Sequence, residues 1–116
     1  MAEGGCLFCR IACREVPADI LAEADGMIAF KDINPQAPTH LLVIPTEHIP
    51  SLAELTAAHT TLLGQLVQFA GRLARQYRLA DTGFRFVINT GRNGGQTVHH
   101  LHAHVLGGRA LRWPPG

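Results

Sequence analysis

His99-His100-Leu101-His102-Ala103-His104-Val105-Leu106 sets imidazoles and aliphatic side chains in alternation, and it holds four of the chain's seven histidines. A period of two is the mark of a strand, in which successive side chains point to opposite faces. A strand is therefore expected over His100–Leu106. His100, His102 and His104 would share one face. Leu101, Ala103 and Val105 would share the other, apolar enough to pack beneath a helix. Three readings of the histidine face compete. The imidazoles could be merely solvated, or H-x-H could chelate a metal. Alternatively, one neutral imidazole could attack phosphorus, provided its other ring nitrogen is held as a donor.

The residues just ahead favour the nucleophile. Gly91-Arg92-Asn93-Gly94-Gly95-Gln96-Thr97 can turn backbone N–H groups inward as an anion nest, and glycine lets a backbone approach a phosphate. Gln96 and Thr97 would add side-chain donors without a fixed charge.

Further out, Phe84–Asn89 reads as another strand. Before it, Leu62, Leu63, Leu66, Phe69, Ala70, Leu73 and Tyr77 recur at three and four residues, predicting one long helix from about Ala57 to Tyr77. Gly64 and Gly71 lie seven apart on it, either tolerated or allowing a close approach by another backbone. His40–Ile44 reads as a buried strand ending at Pro45, and Asp32–Pro38 as a loop. Ile20–Ala24 and Met27–Lys31 flank Asp25-Gly26, a strong hairpin signal because both turn positions tolerate positive φ. A short helix is expected from Cys6 to Arg14, stopped by Pro17. The ends, Met1–Gly5 and Pro114–Gly116, are expected to be loose. Short-turned strands with one long helix inserted late indicate an α+β fold with a largely antiparallel sheet.

The 116 residues, 47% hydrophobic and 16% charged, suit a single domain spanning residues 1–116 with a packed core. A net charge of +1 gives no electrostatic reason to expect nucleic acid or an anionic membrane as partner. The longest aliphatic run, Leu41-Leu42-Val43-Ile44, is far too short to span a membrane. Met1–Gly5 lacks the basic-then-apolar pattern of a secretory signal, so a cytoplasmic location is expected. Three cysteines exclude a complete disulfide framework. Cys6-x-x-Cys9 suggests metal binding or redox chemistry, and Cys13 a small core residue.

Gly95–Leu106 resembles the H-φ-H-φ-H-φ-φ signature of the histidine-triad superfamily. Gly107-Gly108-Arg109 and Trp113-Pro114-Pro115-Gly116 are similar to the tail of its nucleotide-binding branch. Asp32-Ile33-Asn34-Pro35-Gln36-Ala37-Pro38-Thr39-His40 and Val43-Ile44-Pro45 extend the resemblance over nearly the whole chain. The resemblance implies a histidine-triad fold, a five-stranded antiparallel sheet with two helices, dimerising. It also implies hydrolysis of purine nucleoside phosphoramidates of the adenosine 5′-monophosphoramidate type, with no metal required for the chemistry. His102 would be the nucleophile that carries a nucleotidyl intermediate and releases AMP. His104 would bond the phosphate, and His100 completes the triad. His40 would take part in proton transfer, Asn89 would lie beside the phosphate, and Asp32 would bind the ribose hydroxyls. Phe8, Ile11 and Ile33 would wall the base. Gly95, Gln96 and Thr97 belong to the phosphate loop, with Thr97 standing where the animal branch commonly has serine. Trp113 would reach the partner subunit's pocket in a homodimer. His48 and His100 are candidates to complete a structural zinc site with Cys6 and Cys9. Three rivals remain: dinucleoside polyphosphate hydrolysis, a nucleotide-binding regulatory or scaffold role with residual activity, and a metal-dependent hydrolase using H-x-H.

Overall fold

A computed structural model describes residues 5–116. The N-terminal end expected to be loose lies, apart from Gly5, outside the described residues. In chain order the elements are α1 (Leu7–Ala12), β1 (Ile20–Ala24), β2 (Met27–Lys31), β3 (Thr39–Pro45), α2 (Thr60–Gln76), β4 (Phe84–Val87) and β5 (Ala103–Gly107). The strands form one antiparallel sheet in the order β1-β2-β3-β5-β4. The expected α+β architecture, with five antiparallel strands and two helices, is what the chain adopts.

The hairpin between β1 and β2 turns as its Asp-Gly signal requires, with Asp25 at φ 54° and Gly26 at φ 76°. α2 is shorter than its apolar stripe predicts. Ala57–His59 is a single turn of 3-10 helix, and the α-helix begins only at Thr60. The Thr56 hydroxyl accepts from the Ala58 N–H, while His59 Nδ1 accepts from the Thr56 N–H. These two bonds satisfy orphan donors at the helix entrance. At the other end Arg78, at φ 61°, reverses the chain, and the Leu79 N–H closes on the Ala74 carbonyl at 2.7 Å.

The sheet divides two apolar layers. On one face Leu66, Phe69, Ala70, Leu73 and Ala74 of α2 pack against Met27, Ala29, Leu41, Val43, Leu101, Ala103 and Val105. On the other, Phe8 and Ile11 of α1 pack against Ile28, Phe30, Leu42 and Ile44. Leu101, Ala103 and Val105 thus lie beneath the long helix, as the alternation predicts. Gly64 has no atom near the position of a Cβ, and Gly71 only the tip of the Arg75 side chain. Neither glycine admits a close backbone within the chain. The close backbone approach is elsewhere: a Cβ on Gly94 would clash with the Thr90 backbone.

Two strand boundaries need correction. β4 ends at Val87, not Asn89, and β5 begins at Ala103, not His100. The β3–β5 ladder stops at Val43 opposite Ala103. Two residues further along β3 is Pro45, which has no N–H to give. Its carbonyl is taken by the His100 ring at 2.8 Å, and the Leu101 N–H turns to the Ile49 carbonyl at 2.6 Å. His100–His102 therefore keep the alternation of a strand without belonging to the ladder. Among the described residues no helix is long and apolar enough to cross a membrane.

Candidate active site and candidate metal centre

Five of the histidines occupy two neighbouring sites, and their hydrogen-bond partners fix their proton positions. His102 Nδ1 lies 2.7 Å from the His100 carbonyl, which can only accept. Neutral His102 therefore carries its proton on Nδ1 and leaves a bare lone pair on Nε2. Next to it, at 5.1 Å between ring centroids, is His104. The Gln36 N–H donates to His40 Nδ1 at 3.0 Å, so neutral His40 carries its proton on Nε2. That proton points at His104 Nδ1, 2.8 Å away. His104 must then be protonated on Nε2, an atom that is buried and without a hydrogen-bond partner among the described residues. The result is a bare nitrogen on His102 beside an unspent N–H on His104.

Burial pushes the His40 pKa below its ordinary value of 6.5 despite the opposing pull of Asp32. Burial also lowers the His104 pKa, with help from His102 and His40, to about 4. Both rings are neutral at pH 7, which the proton chain requires.

A cavity of about 260 Å³ opens onto this pair. Its apolar walls include Phe8, Ile11, Phe30 and Leu42, and its polar residues are Lys31, Asp32, Thr97, His102 and His104. The ring of Phe8 meets that of His102 edge-on at 5.0 Å. Ile33 lines the mouth but is 98% exposed, so it can wall a ligand on one side only. Asp32 Oδ1 accepts from the Asn34 N–H at 2.8 Å, and Oδ2 lies 3.3 Å from His40 Nε2. Asp32 thus braces the loop it begins while its side chain, 18% exposed, still lines the cavity.

The glycine loop departs from expectation. Gly95 and Gln96 direct their N–H groups to the loop's own Arg92 and Gly91 carbonyls. Gln96 Nε2 donates to the Pro50 and Val98 carbonyls, and its Oε1 accepts from the Gly91 N–H. Its amide is fully used in bracing the loop, so the spare side-chain donor expected there is Thr97 alone. Asn89 is half-buried past the end of β4 and does not line the cavity. Trp113 is 83% exposed and away from the cavity of its own chain.

His100, expected both as a triad residue and as a candidate zinc ligand, does not line the cavity. The His100 ring is wholly buried, donates from Nε2 to Pro45, and turns Nδ1 toward two sulfurs. Cys6 Sγ lies at 3.3 Å and Cys9 Sγ at 3.5 Å from that nitrogen. His48 Nδ1 is 3.2 Å from Cys9 Sγ, and all four ligand atoms lie within 4.8 Å of one another. Tetrahedral zinc, with bonds of about 2.0–2.3 Å, would set its ligands roughly 3.3–3.8 Å apart. The two thiols and two imidazole nitrogens fit that ion with small adjustments. The His100 Nε2–H bond to Pro45 presents the correct nitrogen to it. Asp32, His40 and His104 form a second group at metal-ligand distances. Their protons oppose that use, since His40 Nε2 already donates to His104.

A family model described as the HIT domain matches residues 13–111. The chain belongs to the histidine-triad (HIT) family. It is 46% identical to a purine nucleoside phosphoramidase of Escherichia coli over 105 residues, 90% of this chain and 88% of that protein. A HIT family hydrolase from Legionella pneumophila superposes with a TM-score of 0.95 at 46% identity, covering 97% of this chain and all of the other. A zinc-bound histidine-triad family protein from Mycobacterium smegmatis superposes with a TM-score of 0.76 at 31% identity, covering 90% of this chain and 76% of the other.

Gln36 and Pro45 were not legible as site residues. Both act through the backbone, Gln36 by its N–H on His40 and Pro45 by its carbonyl on His100. Side-chain chemistry carries no signal of either role.

Proposed function

We propose that this HIT-family protein is a nucleotide hydrolase acting on purine nucleoside phosphoramidates, and that His102 is its nucleophile. The observation that carries the reading is the bare Nε2 of His102 beside the buried, unspent Nε2–H of His104, on two residues that line one largely apolar cavity with Asp32. The similarity to the Escherichia coli phosphoramidase supports the substrate class.

The base lies among Phe8, Ile11 and the other apolar walls, with Ile33 at the mouth. The ribose hydroxyls donate to Asp32, whose carboxylate accepts only. His102 Nε2 attacks the α-phosphorus in line. The P–N bond breaks, and the departing nitrogen takes a proton from solvent and leaves as the amine; the water that later attacks returns that proton to solvent. His104 Nε2–H donates to a phosphoryl oxygen as its charge develops. Thr97 supplies a hydroxyl nearby. Water then attacks the nucleotidyl-histidine, releases AMP, and restores neutral His102. No divalent metal takes part in these steps. Cys6, Cys9, His48 and His100 hold a structural zinc, which supplies a rigid cross-link between α1, the segment after β3 and the segment ahead of β5. The working form is a homodimer, in which Trp113 lies against the pocket of the second subunit. The location is cytoplasmic.

The decisive experiment is turnover of an adenosine phosphoramidate beside a dinucleoside polyphosphate, with and without chelator. The phosphoramidate is expected to be the better substrate under both conditions. His102→Ala should lower turnover at least about 10³-fold, because no neighbour can take over its line of attack. Labelled nucleotide should be trapped on the wild type in an acid-labile bond and be absent from the variant. Near wild-type turnover by His102→Ala would overturn the assignment.

A further inference from the structure

One proton in the site has two claimants. His40 Nε2–H faces His104 Nδ1 at 2.8 Å and Asp32 Oδ2 at 3.3 Å. His40 cannot divide the task between its two nitrogens, because Nδ1 is committed to the Gln36 N–H. The carboxylate and the second imidazole therefore compete for the same hydrogen. The contest has a consequence for the cavity, because the far nitrogen of His104 is the buried donor left without a partner. An imidazole that accepts a stronger bond at one nitrogen becomes a stronger donor at the other.

Asp32 has lone pairs to spare. A carboxylate offers about four acceptor positions, and the Asn34 N–H and the His40 contact occupy two of them. The rest are open to the cavity that Asp32 lines. Two adjacent hydroxyls from a ligand would fill them, spread the carboxylate charge over new donors, and weaken its hold on the His40 proton.

We infer that Asp32 is a positioning residue as well as a sugar contact: vicinal hydroxyls bound at Asp32 release the His40 proton to His104 and so strengthen the donor aimed at the phosphoryl group. The proton stays on His40 throughout, and only its sharing changes. This inference rests on the nucleotide reading above and adds to it. The sugar is sensed in the bond-breaking step and not only in binding. A plain sugar anchor would make the hydroxyls matter for the concentration at half-saturation alone.

The test compares the 5′-phosphoramidates of adenosine, 2′-deoxyadenosine and 2′,3′-dideoxyadenosine in single turnovers at saturating substrate. For the wild type, loss of both hydroxyls should slow the single-turnover rate about fivefold, the order expected from polarising one hydrogen-bond chain. In Asp32→Ala the ratio between the sugars should collapse to about one, because the competing acceptor is gone. Asp32→Asn, which keeps the shape, serves as a second variant and should lose the same ratio. Equal wild-type rates, with only half-saturation shifted, would overturn the coupling.

Proton NMR of the imidazole N–H groups gives a readout independent of turnover. AMP should move the His40 Nε2–H resonance downfield, and 2′,3′-dideoxy-AMP should not. If no phosphoramidate is cleaved but AMP alone moves the resonance, the hydrolase reading fails and the coupling stands. If both nucleotides bind and leave the resonance unmoved, the coupling fails by itself.

Discussion

At the scale of single residues the site is built from commitments that leave one atom uncommitted each time. His102 gives its Nδ1 proton to a carbonyl and keeps a bare nitrogen. His104 receives at Nδ1 and keeps an unpaired N–H. Holding His104 neutral has a thermodynamic consequence. Its pKa is near 4 in the folded protein, against 6.5 for an ordinary histidine, and that of His40 is lowered too. Below pH 6.5 the unfolded chain takes up protons that the folded chain refuses, so stability falls with pH. The His104 contribution is complete above 6.5, is lost as pH drops toward 4, and changes no further below that. Urea unfolding midpoints followed across this range should decline before most carboxylates begin to titrate, which happens below about pH 5. His104→Asn should flatten the decline. A midpoint constant from pH 7 to 5 in the wild type would contradict the neutral-ring account. The triad and its alternation were legible in the sequence because a period of two puts Leu101, Ala103 and Val105 into the core. The tautomers were not, because they depend on Gln36 and Pro45 backbone atoms brought in from other segments.

At the scale of elements the question is what holds α1 against the sheet. The helix has only six residues, too few to persist alone. Phe8 and Ile11 bury against Ile28, Phe30 and Ile44, and Cys6 caps the helix by accepting the Cys9 N–H at 3.4 Å. Zinc on Cys6, Cys9, His48 and His100 would join α1, the segment after β3 and the segment ahead of β5 at one point. The purified protein should then contain close to one zinc per chain. Cys9→Ser should lower both the zinc content and the melting temperature, since metal binding free energy is folding free energy. A metal-free preparation whose melting curve does not change with chelator would remove the zinc reading. The Cys-x-x-Cys spacing was plain in the sequence, and the two histidine ligands could be named only by resemblance. They lie 39 and 91 residues beyond Cys9, and only the folded sheet brings them beside it. The start of β5 was misjudged for a related reason. Pro45 stops the ladder from a neighbouring strand, out of reach of any local pattern.

At the scale of the whole molecule the sheet has two open edges, β1 and β4, and they differ in chemistry. Around β1, Arg14 pairs with Glu23 and Lys31 with Asp19, a charged fringe that discourages further strand pairing. β4 offers Phe84-Arg85-Phe86-Val87, with Phe84 39% exposed. On α2, Val67 is 51% exposed, and Gly64 leaves open space beside it. A second copy meeting the β4 edge across a two-fold axis would cover Phe84, since an isologous interface uses each patch twice. Light scattering at micromolar concentration should therefore report about twice the 12.6 kDa of one chain. Phe84→Glu, at a position exposed enough to accept the charge without unfolding, should shift the particle toward 12.6 kDa. A wild-type particle already at that mass would refute the dimer. The same edge carries the tail. The Arg85 guanidinium donates to the Leu111 and Arg112 carbonyls, so Trp113 leaves the molecule from the strand that would form the interface. The side chain does not line the cavity of its own chain, and in a dimer through this edge it would be free to meet the partner's. Phe84→Glu should therefore cost selectivity among leaving amines along with the dimer. Deleting residues 111–116 should cost the same selectivity while leaving the dimer intact. If relative rates across several amines were unchanged in both proteins, the tail would have no part in choosing the substrate.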